Sequence, residues 1–588
     1  MNAETFCEQF ATFAEAPNGV AKLRELILQL AVQGKLVPQD TNDEPADAVI
    51  ARITDRKSKM LDGGEIQRDK KFAPILKQEP PWPIPQSWAW VRLQDIFEIS
   101  RGGSPRPAGD PQYFGGPIPW ITVGEITKDD DLFLTQTSTG LTELGSQRSR
   151  FVEPDDLLIT NSGATLGVPK IAQIRGCIND GVALLKCFHS EVVKEYAYLF
   201  LRQQTPAFRN VNQGMGQPNL NTPILAGWYF AFPPLAEQRR IVGKVDQLLG
   251  LCDELAARQA ARREARSALV GATLDRLVSA RSAAEFPAHA HRLRDHFDRL
   301  FDTPTTLPQL RQAILQLAVQ GQLVPQDPND ESAQTLVGRI EKRKSELIRQ
   351  SLIPKQSALP PVQDDKLPFR IPIGWRWIRL ESVCEIITKG SSPTWQGVQY
   401  VGADDGVLFV TSENVGNYVL RKMDEPKYVE RKFNEMEPRS ILQRDDLLVN
   451  LVGGSIGRSA IFDRDDVANI NQAVGIIRLV RGDIAIDRWY LLHYLNSPCS
   501  LQIMFAEQVE TARANLSLTN MKHFLVPLPP LSEQKRIVSK VTELLSLCDA
   551  LEAKLTQAES ASTQLLSAAV HHLLSDSTAN GKAASCPM

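Results

Sequence analysis

Apolar residues recur at helical spacing over Val20–Gln33, with Leu23, Leu26, Ile27, Leu30 and Ala31 on one face and Gly34 standing where a C-cap belongs. A second, more charged helical pattern covers Ala46–Leu61. After Pro80-Pro81 the period changes. Short β-rich runs punctuated by Gly and Pro follow at Trp88–Leu93, Ile118–Val123, Asp156–Thr160 and Val182–Lys186, with a helical run at Val192–Gln203. The pattern predicts a mixed α+β domain from Trp82 to Phe232. The longest helical pattern opens after Pro529-Pro530-Leu531, with Ser532 as N-cap and Glu533 in the first turn. Ile537, Val541, Leu544, Cys548, Leu551, Leu555, Ala558, Leu565 and Ala569 then follow at steps of four and three, an a/d seam interrupted at Ser562. A similar helix begins with Ile241, Val245, Leu248, Cys252 and Leu255, passes an Arg/Ala stretch and resumes at Leu269, Val270, Leu274 and Leu277. Two such helices in one chain are expected to pack on each other; packing against a partner's helix is the alternative.

The chain contains itself twice. Leu23–Asp40 and Leu310–Asp327 agree at 15 of 18 positions, at an offset of 287. Ile84-Pro85 with Trp88, Trp90, Arg92 and Leu93 recurs as Ile371-Pro372 with Trp375, Trp377, Arg379 and Leu380. Asp155-Asp156-Leu157-Leu158 recurs as Asp445-Asp446-Leu447-Leu448, and Gly163 and Gly167 match Gly453 and Gly457. Pro233–Leu255 matches Pro529–Leu551 at 16 of 23 positions. The blocks at about 94–154 and 381–444 are hardly alike. A duplicated frame carrying two different inserts suggests one scaffold that presents two different reading heads; drift in surface loops is the bland alternative.

Composition narrows the function classes. The chain has 588 residues, 43% hydrophobic and 23% charged, which is ordinary for globular protein and predicts about three or four structural units. No uncharged apolar stretch reaches transmembrane length, and Glu4, Glu8 and Glu15 occupy an N-terminus without a signal-like apolar core, so a cytoplasmic protein is expected, with no membrane partner. A net charge of -3 leaves DNA binding open, since a local basic face is what matters. The eight cysteines form no C-x-x-C, so reduced thiols are expected and no metal. His289, His291 and His296 lack accompanying acid or Cys ligands. Glu79-Pro80-Pro81-Trp82 is a poor match to an amino-methyltransferase signature because Glu replaces the Asn or Asp that would hold the target amine, and no P-loop exists. Catalytic residues and a cofactor on this chain are therefore not expected.

The duplicated P-P-L-[AS]-E-Q-[RK]-R-I-V helix start, the two W-x-W-[VI]-R-L entries and the paired D-D-L-L…G-x-x-x-G segments together resemble type I restriction-modification specificity subunits. The I-L-Q-L-A-V-Q-G-[KQ]-L-V-P-Q-D repeat is similar to that family's longer-chain branch. The resemblance spans nearly the whole chain. It implies an α+β fold with two mixed α/β target recognition domains, joined by two long helices in an antiparallel coiled coil with internal pseudo-two-fold symmetry. Each domain would read one half of a split, asymmetric site on double-stranded DNA. Half-sites read from one side of B-DNA lie about 34 Å apart, a span that a helix of roughly 60 Å covers at about 1.5 Å per residue. The implied partners are two methyltransferase (modification) subunits and restriction/translocase subunits, which would carry S-adenosylmethionine, ATP and Mg²⁺. An orphan DNA-binding or coiled-coil scaffold protein with two heads is the alternative.

The expected segments are an N-terminal helical region (1–81), a first target recognition domain (82–234), a central spacer helix (235–285), a second helical region (286–368), a second recognition domain (369–530), a C-terminal spacer helix (531–575) and a tail (576–588). Base edges are read by polar and cationic side chains on protruding loops. In the first domain the candidates are Arg101, Ser104, Arg106, Asn161, Ser162, Thr165, Arg209, Asn212, Gln213 and Gln217; in the second they are Lys389, Ser391, Ser392, Asn450, Ser455, Arg458 and Arg513. The glycines of these loops are expected to build tight turns. Arg258, Arg262 and Arg266 lie one turn apart, expected as a solvated helix flank with phosphate contact as the alternative.

Overall fold

The structure is a computed structural model that describes residues 14–66, 72, 81–163, 165–211, 219–280, 285–363, 367–482, 486–506 and 515–575. It divides into two compact units, residues 1–262 with 558–588, and residues 263–557. Each long helix is therefore shared: α4 below starts in the first unit and ends in the second, and α8 does the reverse.

In the first unit α1 (Gly19–Val32) buries Leu23, Leu26, Ala31 and Val32, and α2 (Ala46–Asp62) buries Val49 and Ile53. Strand β1 (Ala89–Arg92) pairs antiparallel with β6 (Tyr229–Phe232), so the two ends of the recognition domain meet. The main sheet places β2 (Phe97–Arg101) beside β5 (Val182–Cys187), then β3 (Leu157–Thr160) and β4 (Pro169–Ala172), with the two-residue strand Phe133–Leu134 at the edge. Helix α3 (Lys194–Arg209) buries Tyr196, Phe200 and Phe208 in the same apolar cluster as Leu157, Ile159 and Leu185.

The second unit repeats this frame. Helices α5 (Leu307–Val319) and α6 (Ala333–Arg349) correspond to α1 and α2. Strand β7 (Arg376–Arg379) pairs with β12 (Leu525–Leu528), and the main sheet runs β8 (Cys384–Lys389), β11 (Val474–Leu479), β9 (Leu447–Asn450), β10 (Ser459–Ile461) in the same order. Helix α7 (Arg488–Leu495) stands where α3 begins, with Tyr490 taking the place of Tyr196. Hydroxyls of both tyrosines donate to the closing strand, at Ala231 O (2.9 Å) and Pro527 O (2.5 Å).

The second sheet of each unit is where the copies part. Both contain a parallel pair, Phe114–Ile121 with Gly176–Ile178 and Gly406–Val410 with Ala468–Ile470. In the first unit Arg150–Val152 extends the sheet beside Gly176–Ile178, and Gly140–Leu141 lies on the other edge. In the second, Tyr428–Glu430 and then Tyr400–Val401 extend it from Gly406–Val410 instead.

The long helices are α4 (Leu235–Val278) and α8 (Leu531–Ser575). In the second unit Ile537, Val541 and Cys548 of α8 share one apolar cluster with Val270 and Leu274 of α4 and with Leu310, Ala313 and Ile314 of α5. In the first unit Cys252 of α4 clusters with Leu23 of α1, and Leu566 and Ala569 of α8 with Ala16. The duplicated short helices thus help to cover the seam, and their apolar face is not free for a partner. Arg24 pairs with Asp253, and its counterpart Arg311 with Asp549 and Glu552. One detail of the expected seam is corrected. Leu565 is 62% exposed while Leu566 is fully buried, so Leu566 takes the seam position read at Leu565, whereas Ala569, 2% exposed, keeps its expected place. Likewise Leu269 is 58% exposed and Val270 is buried.

Candidate nucleic-acid interface

Each recognition domain is fixed to its helices by one polar node, built twice. Glu237, fully buried, accepts the indole N–H of Trp88 at 2.9 Å and the amide of Gln39 at 2.6 Å. Glu533 accepts from Trp375 at 2.9 Å and Gln326 at 2.8 Å. The next residue bridges helix and domain: Gln238 accepts from Val193 N and donates to Pro233 O, and Gln534 accepts from Asp487 N and donates to Pro529 O. Two residues on, Arg240 grips Asp43 and Arg536 grips Asp330, each with both guanidinium nitrogens. The indoles lie over turns that only glycine fits. A Cβ on Gly34 would sit 2.4 Å from Pro85 and one on Gly321 2.5 Å from Pro372, both at positive φ. Burial raises the Glu237 carboxyl above its usual range, against the two hydrogen bonds it accepts. The E-Q-x-R stretch therefore holds each head at a fixed attitude to its helix.

The Asp-Asp pairs lie beside the node: Asp155 pairs with Lys194, next to Val193, and Asp445 with Arg488, next to Asp487. Asp155 and Asp445 hold left-handed turns at φ 77 and 74, and Asp156 and Asp446 close those turns by accepting from Glu153 N and Gln443 N at 2.8 Å. Asp446 also holds Arg478 through two bonds, at 2.8 and 2.7 Å.

The expected DNA readers fall into three groups. In the first, Arg101, Ser104 and Arg106 converge on Asp180. Arg101 Nε donates to Asp180 O at 2.6 Å, the Ser104 hydroxyl donates to its carboxylate at 2.6 Å, and Arg106 lies 3.6 Å from the same carboxylate. Arg101 and Arg106 remain exposed. Lys389 is exposed at the end of β8, and Arg209 and Arg458 are exposed too. Ser162, Thr165, Ser391 and Ser455 are half-buried; Ser391 accepts from Gln396 and Ser455 donates to Val452 O. The loops after β2 and β8 are held close to neighbouring backbone. A Cβ on Gly102 would meet Asn179 O at 2.2 Å, and one on Gly390 would meet Ile470 O at 1.9 Å.

In the second group are residues that the fold encloses. Asn161 is 2% exposed, Asn450 is fully buried and Ser392 is 8% exposed, so these side chains serve the fold and not a groove. Asn450 Nδ2 donates to Ser412 O and Val415 O. The sheet register shows that Asn161 and Asn450, candidates in similar loops, are not counterparts. Thr160 N bonds Val168 O as Asn450 N bonds Arg458 O, and Asn161 N bonds Gly181 O as Leu451 N bonds Ala473 O. Asn450 therefore corresponds to Thr160, and a one-residue slip puts a side chain on the other face. The third group, Asn212, Gln213, Gln217 and Arg513, lies outside the described residues, as do Glu79 and Pro80.

On the long helix, Arg258, Arg262 and Arg266 each meet a carboxylate, of Glu254, Glu15 and Asp302. Among the described residues no group of three or more His, Cys, Asp or Glu side chains could hold a metal ion, and no helix is long and apolar enough to cross a membrane.

Comparison with known proteins agrees with this duplicated build. The family described as the type I restriction modification DNA specificity domain matches residues 85–262 and again 372–559. The chain is 30% identical over 570 residues to the type I restriction enzyme EcoEI specificity subunit of Escherichia coli, covering 94% of this chain and 93% of that protein. It is 30% identical over 562 residues to the EcoAI specificity subunit of Escherichia coli, covering 91% and 90%. Among solved structures, the HsdS subunit from Thermoanaerobacter tengcongensis aligns at 17% identity and a TM-score of 0.37, over 85% of this chain and 99% of that one. With the family's domain present twice and two relatives matching over most of their length, this chain belongs to the type I restriction-modification specificity subunits.

Proposed function

We propose that this chain is the DNA-reading subunit of a type I restriction-modification complex, in which each head recognises one half of a bipartite, asymmetric site. One observation carries the reading: two units share their frame down to single hydrogen bonds, yet carry differently extended second sheets and different loop chemistry. A scaffold needs no such difference between its heads; two unlike half-sites require it. The chain contributes no catalytic group or cofactor in this reading. Two methyltransferase subunits, with S-adenosylmethionine, dock on the helical frame, and ATP- and Mg²⁺-dependent restriction subunits join them in the cytoplasm. The exposed Arg101, Arg106, Arg209, Lys389 and Arg458 are the proposed DNA contacts, with Ser104, Ser162, Thr165, Ser391 and Ser455 beside them.

The test is methylome sequencing of a host with and without the chain, followed by exchange of residues 88–232 for a related recognition domain. One half of the methylated site should change and the other persist. Change in both halves, or in neither, refutes the two-head reading. Native mass spectrometry of the co-expressed complex should show two methyltransferase subunits per chain.

A further inference from the structure

The loop after β8 presents an aromatic ring that the fold does not use. Trp395 is 81% exposed. Its neighbours are nevertheless fixed. Val398 is 1% exposed, the Ser392 and Thr394 hydroxyls lie 3.1 Å apart, and Gln396 Nε2 donates to Ser391 Oγ at 3.0 Å and to Glu437. The ring therefore stands on a braced turn. Tyr400, 55% exposed, follows shortly after, held edge-on to Phe409 at 6.0 Å. When Ser104-Pro105 of the first head is laid on Ser392-Pro393, Arg106-Pro107 falls on Thr394-Trp395. The Arg106 side chain is 70% exposed. One position apart in that alignment, the first head offers a cation at Arg106 and the second a planar apolar ring at Trp395, which falls on Pro107.

The chemistry of the two is different. An indole has one donor and no acceptor, so it cannot make the paired hydrogen bonds that identify a base edge. What it matches is the face of a base. In a duplex that face is open only where a step has been parted, as inserted apolar wedges do. We propose that Trp395 stacks on a base face at a step of the second half-site that parts on binding, whereas the first head's loop relies on the charge of Arg106. The inference rests on the DNA-reading function proposed above and names one of its specificity-determining residues.

The experiment uses the full chain and a duplex carrying the bipartite site found by methylome sequencing, with 2-aminopurine placed in turn at adenines of the second half-site. Binding of the unaltered chain should change the fluorescence at one step. Trp395→Ala should abolish that change and weaken binding by about 5- to 150-fold, the range for loss of one base–aromatic stack. Its salt slope should be unaltered, because an indole neutralises no phosphate. Trp395→Phe should keep the fluorescence change and most of the affinity. Binding by Trp395→Ala within twofold of the unaltered chain overturns the inference, and so does an unchanged fluorescence signal in that variant. An unaltered chain that leaves the duplex unbound overturns the DNA-reading function itself, and with it this inference.

Discussion

The bond between Trp88 and Glu237 can be weighed directly, because the chain carries an internal replicate. Trp88→Phe removes the donor that Glu237 accepts at 2.9 Å, while the ring's edge contact with Tyr196, at 6.2 Å between centroids, is partly retained. A hydrogen bond to a charged group is worth about 1.5–3 kcal/mol. The smaller ring adds a void above Gly34, so the single substitution costs more than the bond alone. A double-mutant cycle of Trp88→Phe with Glu237→Gln removes that ambiguity, since the void is common to both legs. Because the introduced amide oxygen can still accept the indole N–H, the coupling reads the charge-assisted part of the bond, about 1 kcal/mol. The cycle of Trp375→Phe with Glu533→Gln should give the same value, as its bond is also 2.9 Å. The crossed pair, Trp88→Phe with Glu533→Gln, should be additive within about 0.5 kcal/mol, because those residues share no partner. Urea unfolding gives the energies, and peptide-resolved hydrogen exchange shows which unit loosened. Same-copy coupling as small as the crossed value would refute the claim that this bond ties head to helix. The Glu237 carboxyl adds a pH signature. Its folded pKa lies above the usual 4.5, so the unfolded chain ionises first and this group's contribution to stability falls as pH rises through that window. Glu237→Gln should remove that slope.

Arg106→Ala should lower the salt slope of DNA binding by about one and weaken binding to all sequences alike, since its ion pair with Asp180, at 3.6 Å on an exposed side chain, is readily exchanged for a phosphate. Gly390→Ala forces a Cβ to within 1.9 Å of Ile470 O, a backbone atom, so it should cost at least about 1–3 kcal/mol; a stability equal to the unaltered chain in thermal unfolding would contradict the close approach. His493, whose Nδ1 meets the Tyr418 hydroxyl at 3.1 Å, is held by burial to a pKa of about 4. The unfolded chain binds its proton first, so the second unit should lose up to about 3 kcal/mol as pH falls from about 6.5 to 4. His493→Gln should flatten that acid limb, as read by hydrogen exchange across residues 486–506.

What the sequence disclosed and what it hid divide along a physical line. Helices of 13 residues or more repeat their apolar period often enough to be read: α1, α2 and α8 lie within two residues of where the pattern placed them, and α4 starts as expected but ends at Val278, short of 285. The main-sheet strands Leu157–Thr160 and Val182–Cys187 were equally plain, as continuous apolar runs. Of the second sheets only the run at Ile118–Val123 was read, overlapping the strand Phe114–Ile121. Gly140–Leu141, Arg150–Val152 and Gly176–Ile178 are too short to show a period of two, and their place is decided by partners distant in sequence. Site residues were legible as loops but not as exposures. Asn161, Asn450 and Ser392 have the chemistry of base readers, and only the packing around them shows that they face inward.

The uneven divergence of the two copies follows from how their hydrogen bonds are wired. In the node, every polar side chain is the partner of another part of the node: Trp88 and Gln39 donate to Glu237, Arg240 holds Asp43, and Gln238 ties Val193 to Pro233. Replacing any one strands a buried donor or acceptor, at about 1–3 kcal/mol. The counterpart set around Glu533 keeps all the same residue types, although Val193 is replaced by Asp487, which takes part through its backbone alone. The loops after β2 and β8 are wired otherwise. Arg101 donates to a main-chain carbonyl, and Ser391, Ser392, Thr394 and Gln396 mostly bond one another within a single turn. Their fixed requirement is the glycine that lets the loop approach neighbouring backbone, at Gly102 and Gly390. Residues near the tip, such as Arg106 in one head and Trp395 in the other, can change without leaving a buried group unpaired. The frame therefore holds the attitude of each head constant while the chemistry it presents is free to differ, which is what reading two unlike half-sites demands.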